Sequence, residues 1–200
     1  KPVQCTGILT DDINQLLPQE DIKKFTLNEI TQTDVFSPNH KATIKLKSNP
    51  IICNTTFIKY LTKRAEKLGV EILSGYRYIE NEGKHIKIKN LETKEIIELQ
   101  DNKIIGADGP SSNVAKNNML YENKREFLTG VQARVKLKDF DKTKIEFYPY
   151  IGEYAWFTPE SDEIARIGVA ARAEQNPKRI FDDFMKKYVG AESKHKGQIL

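Results

Sequence analysis

Residues 104–114 read IIGADGPSSNV, and the rest of the chain is interpreted around this stretch. Two isoleucines end a buried strand, small residues make a sharp turn, and an aspartate stands at the strand end. Gly106, Ala107 and Gly109 allow close backbone approach. Open α/β sheets bind ligands at the carboxyl ends of their strands, which makes Asp108 a candidate acceptor for a bound ligand. The same residues also suit a plain strand-to-helix turn, with Asp108 capping a helix that starts near Ser111 or Ser112. Both readings are open at this point.

Upstream, Ile51-Ile52-Cys53 is a short apolar run leading to Asn54, a good N-cap residue. Phe57, Ile58, Leu61, Ala65 and Leu68 fall on one face of the helix that follows, and Gly69 suits its C′ position. Val70 to Leu73 then reads as a strand, giving a strand–helix–strand unit. Segments 76–80, 84–89 and 94–99 alternate polar and apolar residues and predict a three-stranded antiparallel meander. Nearer the start, Asp11-Asp12 can cap a short helix that holds Ile13, Leu16 and Leu17 and stops at Pro18. Residues 25–36 and 41–47 predict two strands joined at Ser37–His40. Downstream, strands are expected over 128–138, 143–150, 153–158 and 164–171. A last helix, 177–188, has Pro177 in its first turn and Ile180, Phe181, Phe184 and Met185 facing inward.

Composition narrows the function classes. Of 200 residues, 32 are basic and 28 acidic, for a net charge of +4. That excess is small, and no stretch joins clustered basic residues to spaced aromatics, so nucleic acid is not an expected partner. His40, His85 and His195 show no ligand spacing, and no metal site is expected. Cys5 and Cys53 suggest no disulfide framework, which favours a reducing cytoplasm. No apolar run approaches the ~20 residues of a membrane span. Lys1-Pro2 at one end and Gln198-Ile199-Leu200 at the other read as cut edges, so an interior segment of a longer protein is expected.

The order of these elements resembles the FAD-binding domain of the flavin hydroxylase/reductase superfamily, and two stretches resemble its geranylgeranyl reductase family. KPVQCTGIL, residues 1–9, is similar to that family's Pro-Val-Arg-Cys-small-Gly segment, with Gln4 where Arg is common and Gly7 one position early. YAWFTPESDEIARIGVA, residues 154–170, resembles its Tyr-x-Trp-x-Phe-Pro signature followed by Gly-x-Gly. Tyr154, Trp156, Pro159 and Gly168 match it, while Thr158 replaces Phe and Ala170 replaces the second Gly. ICNTTFIKYL, residues 52–61, is similar to a third segment through Phe57 and Leu61, but has Asn54 where an FAD-contacting Arg is expected and Ile58 where Asp is expected.

The resemblance implies an α/β (α+β) chain: a partial FAD/NAD(P)-binding Rossmann-like domain with an antiparallel β-meander, plus an antiparallel-sheet substrate domain. Residues 1–26 and 50–125 would form the first, and 27–49 and 126–200 the second. Cys5, Thr6, Asn54, Tyr78, Asp108 and Gly109 would contact FAD, with Cys5 a candidate catalytic group. Tyr154, Trp156, Pro159 and Gly168 would bind a prenyl substrate. Taken alone, Cys5 is equally an ordinary small buried residue, Asn54 an N-cap, and the two rings ordinary sheet packing.

The implied activity is FAD-dependent reduction of C=C bonds in the geranylgeranyl chains of ether lipids or related prenyl compounds. Electrons would come from NAD(P)H or a ferredoxin, and the protein would be cytoplasmic or peripheral to the membrane. Alternatives are an FAD-dependent aromatic hydroxylase of the same superfamily and a non-catalytic prenyl-lipid-binding relative. These 200 residues hold no Gly-x-Gly-x-x-Gly and no Gly-Asp-Ala-Ala segment, so the segment alone is expected to hold FAD poorly.

Overall fold

A computed structural model describes residues 5–101, 103–120, 125–189 and 198–199, beyond residue 186 through the backbone only. Lys1–Gln4, including the Gln4 position discussed above, lie outside the described residues. In chain order the elements are α1 (Ile13–Leu16), α2 (Gln19–Ile22), β1 (Thr26–Phe36), β2 (Lys41–Ile52), α3 (Asn54–Lys67), β3 (Tyr76–Glu82), β4 (His85–Asn90), β5 (Ile96–Gln100) and α4 (Asn113–Asn117). They continue with β6 (Thr129–Lys136), β7 (Lys144–Tyr148), β8 (Tyr154–Pro159), β9 (Ile164–Ala171), α5 (Pro177–Val189) and β10 (Gln198–Ile199). Packing separates two units: Lys1–Lys63 with Phe127–Leu200, and Arg64–Glu126.

The first unit is built on a seven-stranded sheet of order β10-β6-β9-β8-β7-β1-β2. Its ladders are antiparallel apart from β1 and β7, which run parallel with Gln32 opposite Lys144 and Val35 opposite Phe147. Alternation along the strands gives the sheet two distinct faces. Val131, Ala133, Val135, Ala155, Phe157, Ala165, Ile167 and Val169 point to one face. There they pack with Phe181, Phe184 and Met185 of α5, the inward face expected of that helix. The other face presents Gln132, Arg134, Tyr154, Trp156, Thr158, Arg166 and Gly168. Because both faces are covered, β9 reads as a nearly unbroken apolar run, and Arg166 interrupts it.

Of two sequence expectations for this unit, one holds and one changes. Pro18 ends α1, which stops at Leu16. It stands at the N-terminal boundary of α2, where its missing N–H costs no bond. β2 does not stop at residue 47 but runs through Pro50 to Ile52. A proline fits there because β2 is a sheet edge. Ile13, Leu17, Ile22, Phe25 and Ile52 form a second, smaller core beside this edge, and Phe57 of α3 packs against Phe25 with the rings tilted 52° and 4.8 Å between ring centres.

The second unit holds the predicted meander, in the order β3-β4-β5, and the short α4. Gly83, with φ at +55°, makes the β3–β4 turn. The strands expected at 70–73 and 103–105 pair with no strand among the described residues. A strand of a parallel sheet needs a neighbour to complete its ladder, and Val70, Ile72, Leu73 and Ile105 are exposed.

Candidate functional site

The opening loop of the first unit is held by one buried arginine. Arg166 lies on β9, and its guanidinium donates through Nη1 to the carbonyls of Thr6 at 2.6 Å and Cys5 at 3.0 Å. Nη2 donates to the carbonyl of Ile52 at 3.1 Å, and Nε donates to the carboxylate of Glu160. Glu160 is also buried, and Arg134 Nε donates to it at 2.6 Å. Every charge in this trio therefore has an opposite partner, as burial demands. The fit depends on Gly7: a Cβ at this position would meet Arg166 Nη1 at 2.2 Å and the Ile52 carbonyl at 2.6 Å, and φ is +76°. The loop closes on β2 through Ile52 N–H donating to the Gly7 carbonyl at 2.8 Å. Within it Cys5 is exposed, and its Sγ accepts from Gly7 N–H at 3.4 Å.

Beside this loop lies a mostly apolar cavity of ≈ 350 Å³, lined by Thr6, Ile8, Ile145, Glu146, Phe147, Tyr154, Trp156 and Thr158. The predicted residues Thr6, Tyr154 and Trp156 thus line one cavity. Tyr154 stands 5.6 Å from Trp156 and 5.5 Å from Phe147, ring centre to ring centre. The indole N–H of Trp156 donates to Gln132 Oε1 at 3.2 Å, which fixes the ring without using the cavity. Gly168 faces Trp156 across the β8–β9 ladder. A Cβ there would lie 2.2 Å from the indole, so this glycine is the seat of the ring. Pro159 is fully buried next to Thr158; alternation turns it away from the Trp156 side of β8. Glu146 accepts the Tyr148 hydroxyl.

Asn54 opens α3, and its Nδ2 is buried with no partner among the described residues. The neighbouring Cys53 is held below the usual thiol range, first by a hydrogen bond from the Thr56 hydroxyl and then by the Thr56 N–H. Cys53 was not singled out in the sequence, because nothing in its spacing marks it.

The second unit carries the Asp108 corner. Asp108 accepts the Ser112 hydroxyl on one oxygen and the N–H groups of Asn113, at 2.8 Å, and Val114, at 3.3 Å, on the other. Ser112 Oγ in turn accepts Ala115 N–H at 3.0 Å. Asp108 therefore caps the start of α4 together with Ser112, its N-cap residue, while the strand expected before it does not form. These bonds, with the Ser112 hydroxyl foremost, keep its carboxyl below the ordinary aspartate range. Gly106 packs against Val114, whose Cβ would lie 3.0 Å from a side chain placed there. Gly109 has φ at +84° and open space beside it. Tyr78 donates its hydroxyl to Asn81, which pairs with Asn118 just past α4.

Arg166, Glu160 and Gln132 escaped sequence reading, although one signal was present. A charged residue inside the run Ile-Ala-Arg-Ile-Gly-Val-Ala-Ala must have a buried partner or face a polar site.

The first unit's sheet, its pinned loop and its aromatic cavity can be compared with known proteins. The chain is 24% identical over 190 residues to a digeranylgeranylglycerophospholipid reductase of Thermoplasma volcanium, covering 85% of this chain and 47% of that protein. It is 25% identical over 205 residues to digeranylgeranylglycerophospholipid reductase 3 of Methanosphaera stadtmanae, covering 92% and 51%. Among solved structures, a geranylgeranyl bacteriochlorophyll reductase-like protein of Thermoplasma acidophilum matches all of this chain and 55% of its own, with TM-score 0.78 at 20% identity. By sequence the chain is similar to digeranylgeranylglycerophospholipid reductases at 24–25% identity. It spans about half the length of the curated relatives it matches. The fold is also that of the flavin-dependent halogenase CmlS, which matches all of this chain and 43% of its own, with TM-score 0.75 at 14% identity. PqsL of Pseudomonas aeruginosa, a probable FAD-dependent monooxygenase, covers 99% and 64%, with TM-score 0.66 at 14% identity. No protein-family model matches the chain.

Three outcomes follow from this geometry. Arg166→Met leaves Glu160 with Arg134 as its only cation among the described residues and frees the loop, lowering stability by about 3 kcal/mol in urea unfolding and speeding amide exchange at Ile52. Gly168→Ala drives the Trp156 ring from its seat, shifting its fluorescence and costing about 1–3 kcal/mol. For Asp108 the folded value is depressed, so its contribution is complete above the ordinary aspartate pKa of about 3.9. It is lost as pH falls through the lower folded value. Amide protection at Asn113 and Val114 should fall in that acid range, and Asp108→Asn should flatten the dependence.

Proposed function

We propose that this chain is part of an FAD-dependent oxidoreductase that reduces C=C bonds in the isoprenoid chains of ether lipids or a related prenyl compound. The observation carrying the reading is the aromatic-walled cavity beside the pinned opening loop, in a chain related by sequence to reductases of digeranylgeranylglycerophospholipids. Residues 1–26 and 50–125 would serve the FAD, and 27–49 and 126–200 the substrate. Asn54, with its unpartnered buried amide at the start of a long helix, fits a cofactor contact. Cys5, Thr6, Tyr78, Asp108 and Gly109 are proposed cofactor contacts on the strength of the resemblance; Asp108 can accept further bonds beside those capping α4.

FAD, when bound and reduced, would supply a hydride, and a nicotinamide or a ferredoxin would reduce it. The chain's own residues then have three tasks. Phe147, Tyr154 and Trp156 pack an apolar chain and exclude water. Gly168 and Gln132 keep the indole where that packing needs it. The Arg166 clamp fixes the loop of Cys5 and Thr6, and Cys5 is the proposed proton source for the neighbouring carbon. A lipid substrate fits peripheral contact with a membrane surface, and among the described residues no helix is long and apolar enough to cross one.

The likeness to PqsL and CmlS favours a second reading, oxygenation or halogenation of an aromatic compound. The test is the full-length gene product loaded with FAD, reduced without oxygen and given a geranylgeranyl lipid. Mass gain of two hydrogens per double bond is the expected result, and Trp156→Ala should raise KM about tenfold. No lipid reduction, with hydroxylation or halogenation of a phenol in air, would overturn the proposal.

A further inference from the structure

One buried hydroxyl of the cavity lining differs from the polar groups around it. Thr158 is completely buried on β8 and lines the cavity, and its Oγ1 has no hydrogen-bond partner among the described residues. Several other polar groups nearby are engaged. Trp156 gives its indole N–H to Gln132, Glu146 accepts the Tyr148 hydroxyl, and the Thr6 carbonyl accepts Arg166. Around Thr158 the lining is Ile8, Ile145, Phe147 and the two aromatic rings of β8. A buried hydroxyl left unmatched costs stability, and valine would fill the same space without that cost. Native proteins seldom keep such a group without a use for it.

We propose that Thr158 is a specificity-determining residue whose hydroxyl binds an oxygen atom, a hydroxyl, ether or carbonyl, of the ligand in this cavity. The inference rests on the prenyl-binding reading above and adds that the occupant's buried end is oxygenated rather than bare hydrocarbon. A hydroxyl can both donate and accept, so each of these oxygen types satisfies it. A site built to hydrogen-bond an oxygen rejects the analogue lacking it, because the protein's own group is then left unpaired.

Trp156 is the single tryptophan and stands in the cavity wall, so its fluorescence reports occupancy with no cofactor present. The chain is titrated with farnesol and with farnesene, an alcohol and a hydrocarbon of one prenyl type. Farnesol should bind about three- to tenfold more tightly. Thr158→Val should remove that preference while leaving farnesene affinity unchanged, and Thr158→Ser should restore it. The Tm of unliganded Thr158→Val should equal or exceed that of the parent. Equal binding of both ligands by the parent, or a preference that survives Thr158→Val, overturns the role of Thr158 and leaves the prenyl reading standing. A marked fall in Tm for Thr158→Val would mean the hydroxyl serves the fold, and overturns it too. Binding of neither ligand removes the prenyl reading and this inference together.

Discussion

The architecture of the first unit depends on where a single positive charge can be buried. Arg166 leaves water in the middle of an apolar strand, and a guanidinium there must have its donors met. Glu160 neutralises it, and three backbone carbonyls from two distant segments complete the set. The carbonyls of Cys5, Thr6 and Ile52 turn inward to reach it. That orientation brings the opening loop against the sheet and gives the cavity one of its walls. Gly7 follows from the same requirement, since a larger residue would occupy the space of the guanidinium.

Much of the fold was legible because its physics is periodic. The β6, β8 and β9 strands alternate or run apolar as their burial demands, and α5 repeats its large residues at helical spacing. What escaped was context. Whether Pro50 breaks a strand depends on whether that strand is an edge, and only the sheet order answers that. Val70–Leu73 and Ile104–Ile105 have strand-like residues, yet a ladder needs a partner, which no local pattern supplies.

The candidate site was legible where a side chain's size or shape carries the function. Tyr154 and Trp156 announce an aromatic wall two residues apart on one strand face. Gly168 was picked out as a substrate contact, but its observed task is to lie flat beneath the indole. Asp108 shows the opposite case: its carboxylate is engaged by α4, a role the sequence offered as one of two. Arg166 and Glu160 stayed hidden because their meaning lies in carbonyls far away along the chain.

The parallel pairing of β1 with β7 has a kinetic side. These strands are separated in sequence by the entire second unit, so the large sheet cannot close until the chain has been made past Tyr148. Until then β1 and β2 wait as a hairpin, joined by the tight turn at Ser37–His40. A waiting hairpin tends to recruit stray strands, and this one carries its own deterrents. Two register shifts interrupt β1, while Lys41, Lys45 and Lys47 stud the outer strand. The meander in between is made of local contacts and folds quickly on its own scale. Synthesis order and strand order are thereby coupled: the β1–β7 ladder can form only after the whole second unit has been made.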